Sequence, residues 1–232
     1  MVELQLQAGD LAVFDEAIAE SSAKKWDEVA KPLGSLGRLE EAVIGILAAT
    51  SDPDYTIDKR AVVTLCAANG VVDQGVTMTP GVVTTILAKG LAENKLTVNT
   101  MAAVAHADVF TVDMGIAEPL EIEGLLDRRI GPGTGDISQG PAMSREQALQ
   151  AMQVGIDLVR DLKEQGYKII CTGEAGIGNT TSSSAITTVL LDGDPVELTG
   201  RGVGLSDEGL AKKVATIKRA IEVNAPDVND AI

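Results

Sequence analysis

The stretch "YKIICTGEAGIGNTTSSSA", Tyr167 to Ala185, runs from an apolar β-type segment through a glycine-rich loop into a run of small hydroxyl residues. That order predicts a strand, a tight turn and the head of a helix, the unit from which an α/β sheet is built. Two further β-branched runs follow the same plan, "RAVVTLCA" (Arg60 to Ala67) and "DVFTVDMG" (Asp108 to Gly115). Helical patterns separate them, notably "VVTTILAKGLA" and "SREQALQAMQVGIDLVRDLKEQG". In the second of these, Ser144 and Gln147 have capping-box spacing and Gly166 supplies the stop. Strands alternating with helices imply parallel pairing, hence a parallel sheet flanked by helices.

Upstream the pattern differs. "DLAVFDEAIAESSAKKWDEVA" has apolar residues at helical spacing, Pro32, Gly34 and Gly37 break the helix, and "LEEAVIGILAAT" resumes it. Residues 1–55 therefore read as a helical segment and 56–232 as the α/β domain. "SDEGLAKKVATIKRAIEVNAP" reads as a last capped helix.

Hydrophobic residues make up 45% of the 232, enough for a substantial core. A formal charge of −15 argues against nucleic acid or an anionic membrane as partner, since both require a positive field. No apolar run is long enough to span a bilayer, and the acidic start lacks the basic region of a signal peptide, so a cytoplasmic location is expected. Cys66 and Cys171 both end strand-like runs and read as buried, reduced thiols rather than a bridge or metal pair. The single histidine, His106, in the helix-like "MAAVAHADV", has no neighbouring Cys or His and reads as structural. No metal or cofactor is expected. With Phe14, Trp26, Tyr55, Phe110 and Tyr167 as the only aromatics, a bound flat ring must lie against aliphatic groups and methionine.

Ligands of such sheets sit at the carboxyl ends of the strands. Each strand there leads into irregular polar chain: "NGVVDQGVTMTPG", "MGIAEPL" and "GEAGIGNTTSSS", with "GPGTGDISQGPAM" before the long helix. In the loop after the "YKIICTG" strand, Gly173, Gly176 and Gly178 permit tight turns, and Asn179, Thr180 and Thr181 open a helix whose free N–H groups favour a phosphate. No lysine follows the last glycine, so this is not a nucleoside-triphosphate loop, and the glycine order is not that of a dinucleotide site. Glycines after a strand also serve packing alone. A carboxylate about 5 Å from a phosphate costs roughly 3 kcal/mol per charge pair at an effective dielectric of about 20. Glu174 must then face the uncharged or cationic part of a ligand, such as the sugar and C1′ of a ribose phosphate. Alternatively it is a solvated loop residue or the partner of a structural Lys or Arg. Lys212 and Lys213, on the last helix, are either ordinary solvated lysines or a cation returned to that phosphate.

Taken together, "KPLGSLGRLEE", "CAANGVVDQGVTMTPGVVT", "DMGI", "GTGDISQGPAMSREQA" and "GEAGIGNTT" resemble, in order and spacing, the nicotinate-nucleotide:5,6-dimethylbenzimidazole phosphoribosyltransferases of cobalamin biosynthesis. The resemblance covers about Ala17 to the C-terminus. It implies a Rossmann-like α/β domain, a small helical domain partly built from the N-terminal segment, and a homodimer. It implies transfer of ribose 5-phosphate from nicotinate mononucleotide to dimethylbenzimidazole, with inversion at C1′. By position Glu174 matches a functional glutamate. Gly176, Ile177, Gly178, Asn179, Thr180 and Thr181 match the phosphate-binding loop, and Lys213 a phosphate-contacting lysine. Met78 and Thr79 fall in the segment lining the base pocket, where the family often has Ser for Thr79, and Leu87 stands where some members have a polar side chain. Asn69 stands where the family commonly has His, and Asp136 replaces a frequent Asn. The family continues past Ile232 with further strands and helices and a glutamate that serves as principal general base. The alternative to catalysis is a phosphosugar- or nucleotide-binding module, or an inactive fragment of the enzyme.

Overall fold

The computed structural model describes residue 4, residues 13–230 and residue 232. It divides after Asp58: the described residues of Gln5–Asp58 form one compact unit and those of Lys59–Ile232 belong to another.

The smaller unit is a pair of packed helices, α1 (Glu16–Glu28) and α2 (Arg38–Thr50). Asp15 starts α1 by accepting the Ile18 N–H at 3.1 Å, satisfying one of the amides a helix start leaves open. Between the helices Gly34 and Gly37 take positive φ, +65° and +54°, which an L side chain resists. Buried Glu40 ties the break together, accepting the Leu36 N–H at 3.1 Å and pairing with Lys31 at 2.8 Å. The Lys31 ammonium also lies 5.5 Å from the centre of the Trp26 ring.

The larger unit is built on four parallel strands in the order β3-β2-β1-β4. They are β1 (Arg60–Ala67), β2 (Ala107–Gly115), β3 (Leu125–Asp127) and β4 (Ile169–Ala175). The helices are α3 (Val83–Ala92), α4 (Thr97–Val104), α5 (Arg145–Glu164), α6 (Asn179–Leu191), the single turn α7 (Pro195–Leu198) and α8 (Asp207–Asn224). The sheet is α/β as its sequence pattern implies, with one short strand, β3, too brief to announce itself.

Alternation along β1 sends side chains to both faces. Ala61 and Val63 join Val112, Leu158 and Leu162 in the core beneath α5, with Leu65 packed against it. Cys66 faces the other way, among Ala88, Leu91 and Ile116. The reciprocal bonds between Ser144 and Gln147, at 2.9 and 3.1 Å, start α5, and Gly166 at φ +86° follows its end.

Two sequence expectations fail here. α4 ends at Val104, and His106 lies beyond it in the left-handed region, φ +52°, where the chain reverses into β2. Cys171 is exposed rather than buried, because β4 pairs only with β1 and forms one edge of the sheet. Cys66 is fully buried, and burial pushes its thiol up to about 12. Among the described residues no helix is long and apolar enough to cross a membrane.

Candidate active site

The loops at the carboxyl ends of the strands are laced into one surface. Thr134 donates its N–H to Ala68 O at 3.0 Å, and Ala68 donates its own to Gly115 O at 2.9 Å. A methyl on Gly70 would lie 2.7 Å from backbone atoms of Thr134 and Gly135, so only glycine lets these two loops touch. Asp136 bridges them, accepting from Gln74 Nε2 at 2.7 Å and from the N–H and hydroxyl of Ser138. The loop is further held to α8, through Arg219 Nε to Ser138 O and Asn224 Nδ2 to Ile137 O.

Asp113, at the end of β2, is structural. Its Oδ1 accepts the N–H groups of Gly115 and Ile116 at 2.9 and 2.8 Å, and its Oδ2 pairs with Arg129 at 3.0 Å. Arg129 in turn donates to Ile116 O at 2.7 Å, so the buried carboxylate fixes the turn leaving the strand.

The loop after β4 is clamped at one peptide. Ile177 donates its N–H to the buried Thr84 hydroxyl of α3 at 3.0 Å, and its carbonyl accepts from Asn69 Nδ2 at 3.1 Å. Gly176 is enclosed: an added methyl would lie 2.4 Å from Ala67 O, 2.6 Å from Glu174 Oε1 and 2.9 Å from Asn69 Nδ2. Gly178 then caps α6 at φ +92°, a conformation natural to glycine.

The head of α6 differs from the expectation of free N–H groups. Asn179 and Thr181 already donate to Gly176 O and Gly178 O, at 3.0 and 2.9 Å, and Thr180 N–H donates to Asn179 Oδ1 at 2.7 Å. The tight 3-10 geometry of this turn consumes the amides that the sequence leaves open.

The positive charge comes from α8 instead. Lys213 is only 1% exposed, and its ammonium donates to Thr180 Oγ1 at 2.6 Å and to Gly200 O at 3.2 Å. Among the described residues it has no carboxylate partner. Burial lowers its pKa below the usual lysine range. Lys212, next to it, is exposed, so the solvated reading holds for that lysine alone. The segment Gly200 to Gly204 curls over the ammonium: a methyl on Gly202, at φ +57°, would lie 3.7 Å from Lys213 Nζ and 3.4 Å from Thr180 Oγ1. Thr181, wholly buried, has a hydroxyl without a partner among the described residues. Sequence reasoning missed the Gly200–Gly204 segment. Its signal was the spacing "GRGVG", separated by Leu205 from the Ser206 cap of α8.

Glu174 stands across from this cradle. Its Oε2 accepts from Asn179 Nδ2, and although the side chain is exposed, partial burial of the carboxyl raises its pKa, offset in part by that bond. It belongs to the walls of two cavities. One is a groove of about 430 Å³ along β4 that also involves Leu87, Leu91 and Val98. The other is a pocket of about 230 Å³ beneath the 131–143 loop. Glu174, Leu87, the 176–181 loop and Lys213 are thus gathered at one end of the sheet. Met78 is exposed and Thr79 half-buried on the loop before α3, and neither lines the groove. No group of three or more His, Cys, Asp or Glu side chains that could hold a metal occurs among the described residues.

Residues 11–232 match the family model described as phosphoribosyltransferase. The chain is 41% identical over 209 residues to the nicotinate-nucleotide–dimethylbenzimidazole phosphoribosyltransferase of Acetivibrio thermocellus, covering 90% of this chain and 60% of that one. Over 232 residues it is 37% identical to the protein of the same name from Halalkalibacterium halodurans, covering 100% of this chain and 65% of the other. The crystal structure of CobT from Thermus thermophilus superposes with a TM-score of 0.83 at 34% identity, over 89% of this chain and 62% of that one. The chain spans about three fifths of the length of these relatives. On the family match and these identities, the chain belongs to this phosphoribosyltransferase family.

Proposed function

We propose that this chain binds nicotinate mononucleotide and transfers its 5-phosphoribosyl group to 5,6-dimethylbenzimidazole. The products are nicotinate and α-ribazole 5′-phosphate, the precursor of the cobalamin lower ligand. The relatives carry the name of this activity. The observation that carries the reading for this chain is the buried Lys213 ammonium, which has only neutral acceptors among the described residues. A buried charge without a counter-charge is costly, and a bound phosphate removes that cost.

In this reading the phosphate rests against Lys213, Thr180 and the Gly202 backbone, and the clamped turn of Gly176, Ile177, Gly178, Asn179 and Thr181 sets its distance from Glu174. The sugar lies between, with C1′ facing the carboxylate. The C1′–nitrogen bond breaks with its electron pair going to the pyridine nitrogen, so the leaving ring needs no proton. Positive charge grows on C1′ and the ring oxygen, where a fixed carboxylate favours the transition state over the ground state. A benzimidazole nitrogen attacks the opposite face, inverting C1′, and the remaining N–H proton passes to a carboxylate. Glu174, the one carboxylate on the groove wall among the described residues, with its pKa raised by burial, is suited to take it. Leu87 supplies an apolar wall for the incoming base, with Met78 and Thr79 on the adjoining loop. The proposal includes a homodimer working in the cytoplasm; two free cysteines suit a reducing compartment.

Chromatography of the protein incubated with nicotinate mononucleotide and dimethylbenzimidazole tests the reading. Formation of α-ribazole 5′-phosphate is expected. Saturable binding of the nucleotide with no product at any protein concentration would favour a binding module, and absence of both would overturn the reading.

A further inference from the structure

The buried residues of α3 are Thr84, Ala88 and Leu91, and Thr84 is the polar one among them. It is 1% exposed. A hydroxyl at such a position is costly unless it is hydrogen-bonded. Its oxygen serves a loop distant in sequence: Ile177 donates its N–H to Thr84 Oγ1 at 3.0 Å.

The peptide held in this way has a particular place. Glu174 stands three residues before Ile177, and Thr180 three after it. Glu174 belongs to the groove wall, and Thr180 Oγ1 accepts from Lys213 at 2.6 Å. Leu87, one turn along α3 from Thr84, lines the same groove as Glu174. One hydrogen bond therefore ties the helix that carries the Leu87 wall to the turn that joins Glu174 to Thr180. Asn69 Nδ2 holds the carbonyl of Ile177 at 3.1 Å, so the two anchors differ. Asn69 closes the turn from the β1 side, whereas Thr84 registers it to α3.

We propose that Thr84 is a positioning residue for the transfer, setting the register between the base groove and the phosphate cradle. The inference rests on the phosphoribosyl-transfer reading and adds to it a side chain that solvent does not reach. A base seated against Leu87 fixes α3, and α3 fixes the Ile177 peptide through Thr84. The turn then holds Thr180 and Glu174 at the spacing that brings C1′ opposite the attacking nitrogen. Occupancy of either end favours occupancy of the other, because coupling between two sites is reciprocal.

The test combines steady-state transfer kinetics with equilibrium binding for the unaltered protein, Thr84→Val and Thr84→Ser. Valine keeps the shape and deletes the acceptor, and serine restores the hydroxyl. Thr84→Val should lower kcat by up to about a hundredfold, the cost of a misplacement of about 1 Å. Its KM for nicotinate mononucleotide should stay near that of the unaltered protein, the pattern of an interaction that matters only in the transition state. Asn69 still closes the turn, so ribose 5-phosphate alone should bind as before. In the unaltered protein, dimethylbenzimidazole should slow amide exchange at Ile177 and tighten ribose 5-phosphate by about fivefold or more. Thr84→Val should lose that tightening, and Thr84→Ser should recover both it and kcat. An unchanged kcat in Thr84→Val, an effect on KM alone, or a serine variant as impaired as the valine one overturns the inference. If Thr84→Val fails to fold, the unaltered protein decides: a base that binds without changing Ile177 exchange or ribose 5-phosphate affinity overturns the inference alone. Failure of ribose 5-phosphate or dimethylbenzimidazole to bind the unaltered protein overturns the reading beneath it. If both bind and no product forms, the transfer reading falls, and exchange at Ile177 still decides whether Thr84 links the two sites.

Discussion

Lys213 Nζ donates to Thr180 Oγ1 at 2.6 Å from a helix face that otherwise buries Val214, Ile217 and Ala220. The side chain occupies a core position, yet it ends at a threonine on the head of another helix. Its folded pKa is lowered by burial, so between that value and the unfolded one near 10.4 the unfolded chain holds more protons. Stability contributed by this group therefore rises with pH through that window.

Lys213→Met keeps the buried stem and deletes the charge. Its melting temperature should be no lower than that of the unaltered protein at pH 7, and the alkaline gain should vanish. Its affinity for ribose 5-phosphate should fall about ten- to a hundredfold, as for loss of a charged hydrogen bond. Melting curves from pH 7 to 10, with and without ribose 5-phosphate, measure both effects. Undiminished protection by the ligand would remove Lys213 from the phosphate site.

Glu174 carries the opposite protonation logic. Burial raises its pKa above the ordinary 4.5, so the folded protein holds this proton more tightly than the unfolded chain. The resulting stability is full below about 4.5 and is lost as pH climbs through the folded pKa. Above the folded pKa the ionised carboxylate opposes folding, by the linkage just given. Glu174→Gln should melt higher than the unaltered protein at pH 7 and nearly with it at pH 4. Turnover should fall by about 10²–10³, the usual loss when a preorganised electrostatic group is removed. Equal melting behaviour at both pH values would mean the carboxyl is fully solvated.

How much of this was legible depended on whether a feature is local. The three longer strands follow from β-branched runs, and the α5 cap from the Ser144–Gln147 spacing, because each is decided within a few residues. The burial of Lys213 was half-legible: it shares the helical spacing of Ile217 and Ala220, although its charge suggests solvent. The consumption of the α6 amides was not, since Gly176 O and Asn179 Oδ1 become acceptors only once the turn closes. Nor was the clamp on Ile177, whose partners lie 93 and 108 residues away. β3, of three residues, is held by its pairing to β2 rather than by its own pattern.

Asn69 tests that clamp. Asn69→Ala leaves Ile177 O without its donor, a loss of about 1–2 kcal/mol for a partly buried acceptor. The effect should be local, with amide exchange accelerating at Ile177 to Thr181 and not in β1. Binding of ribose 5-phosphate should weaken, since the turn carrying Thr180 is no longer preset. Uniform acceleration over the whole sheet would show that Asn69 supports the fold as a whole rather than the loop.

Two glycines give opposite expectations for the same substitution. A methyl on Gly176 would sit 2.4 Å from Ala67 O, a backbone atom of β1 that has no rotamer to give, and 2.6 Å from Glu174 Oε1. Gly176→Ala should cost about 1–3 kcal/mol of stability, as overpacking does, and should displace Glu174 and lower turnover. A methyl on Gly155, inside α5, meets nothing within 4 Å, and the helix gains the roughly 1 kcal/mol by which alanine exceeds glycine in helix propensity. Gly155→Ala should therefore raise the melting temperature and leave turnover unchanged. Denaturant titration of both variants gives the two stabilities on one scale. If Gly176→Ala proved as well tolerated as Gly155→Ala, the turn would have room that its close contacts deny, and Glu174 would not be held where the chemistry requires it.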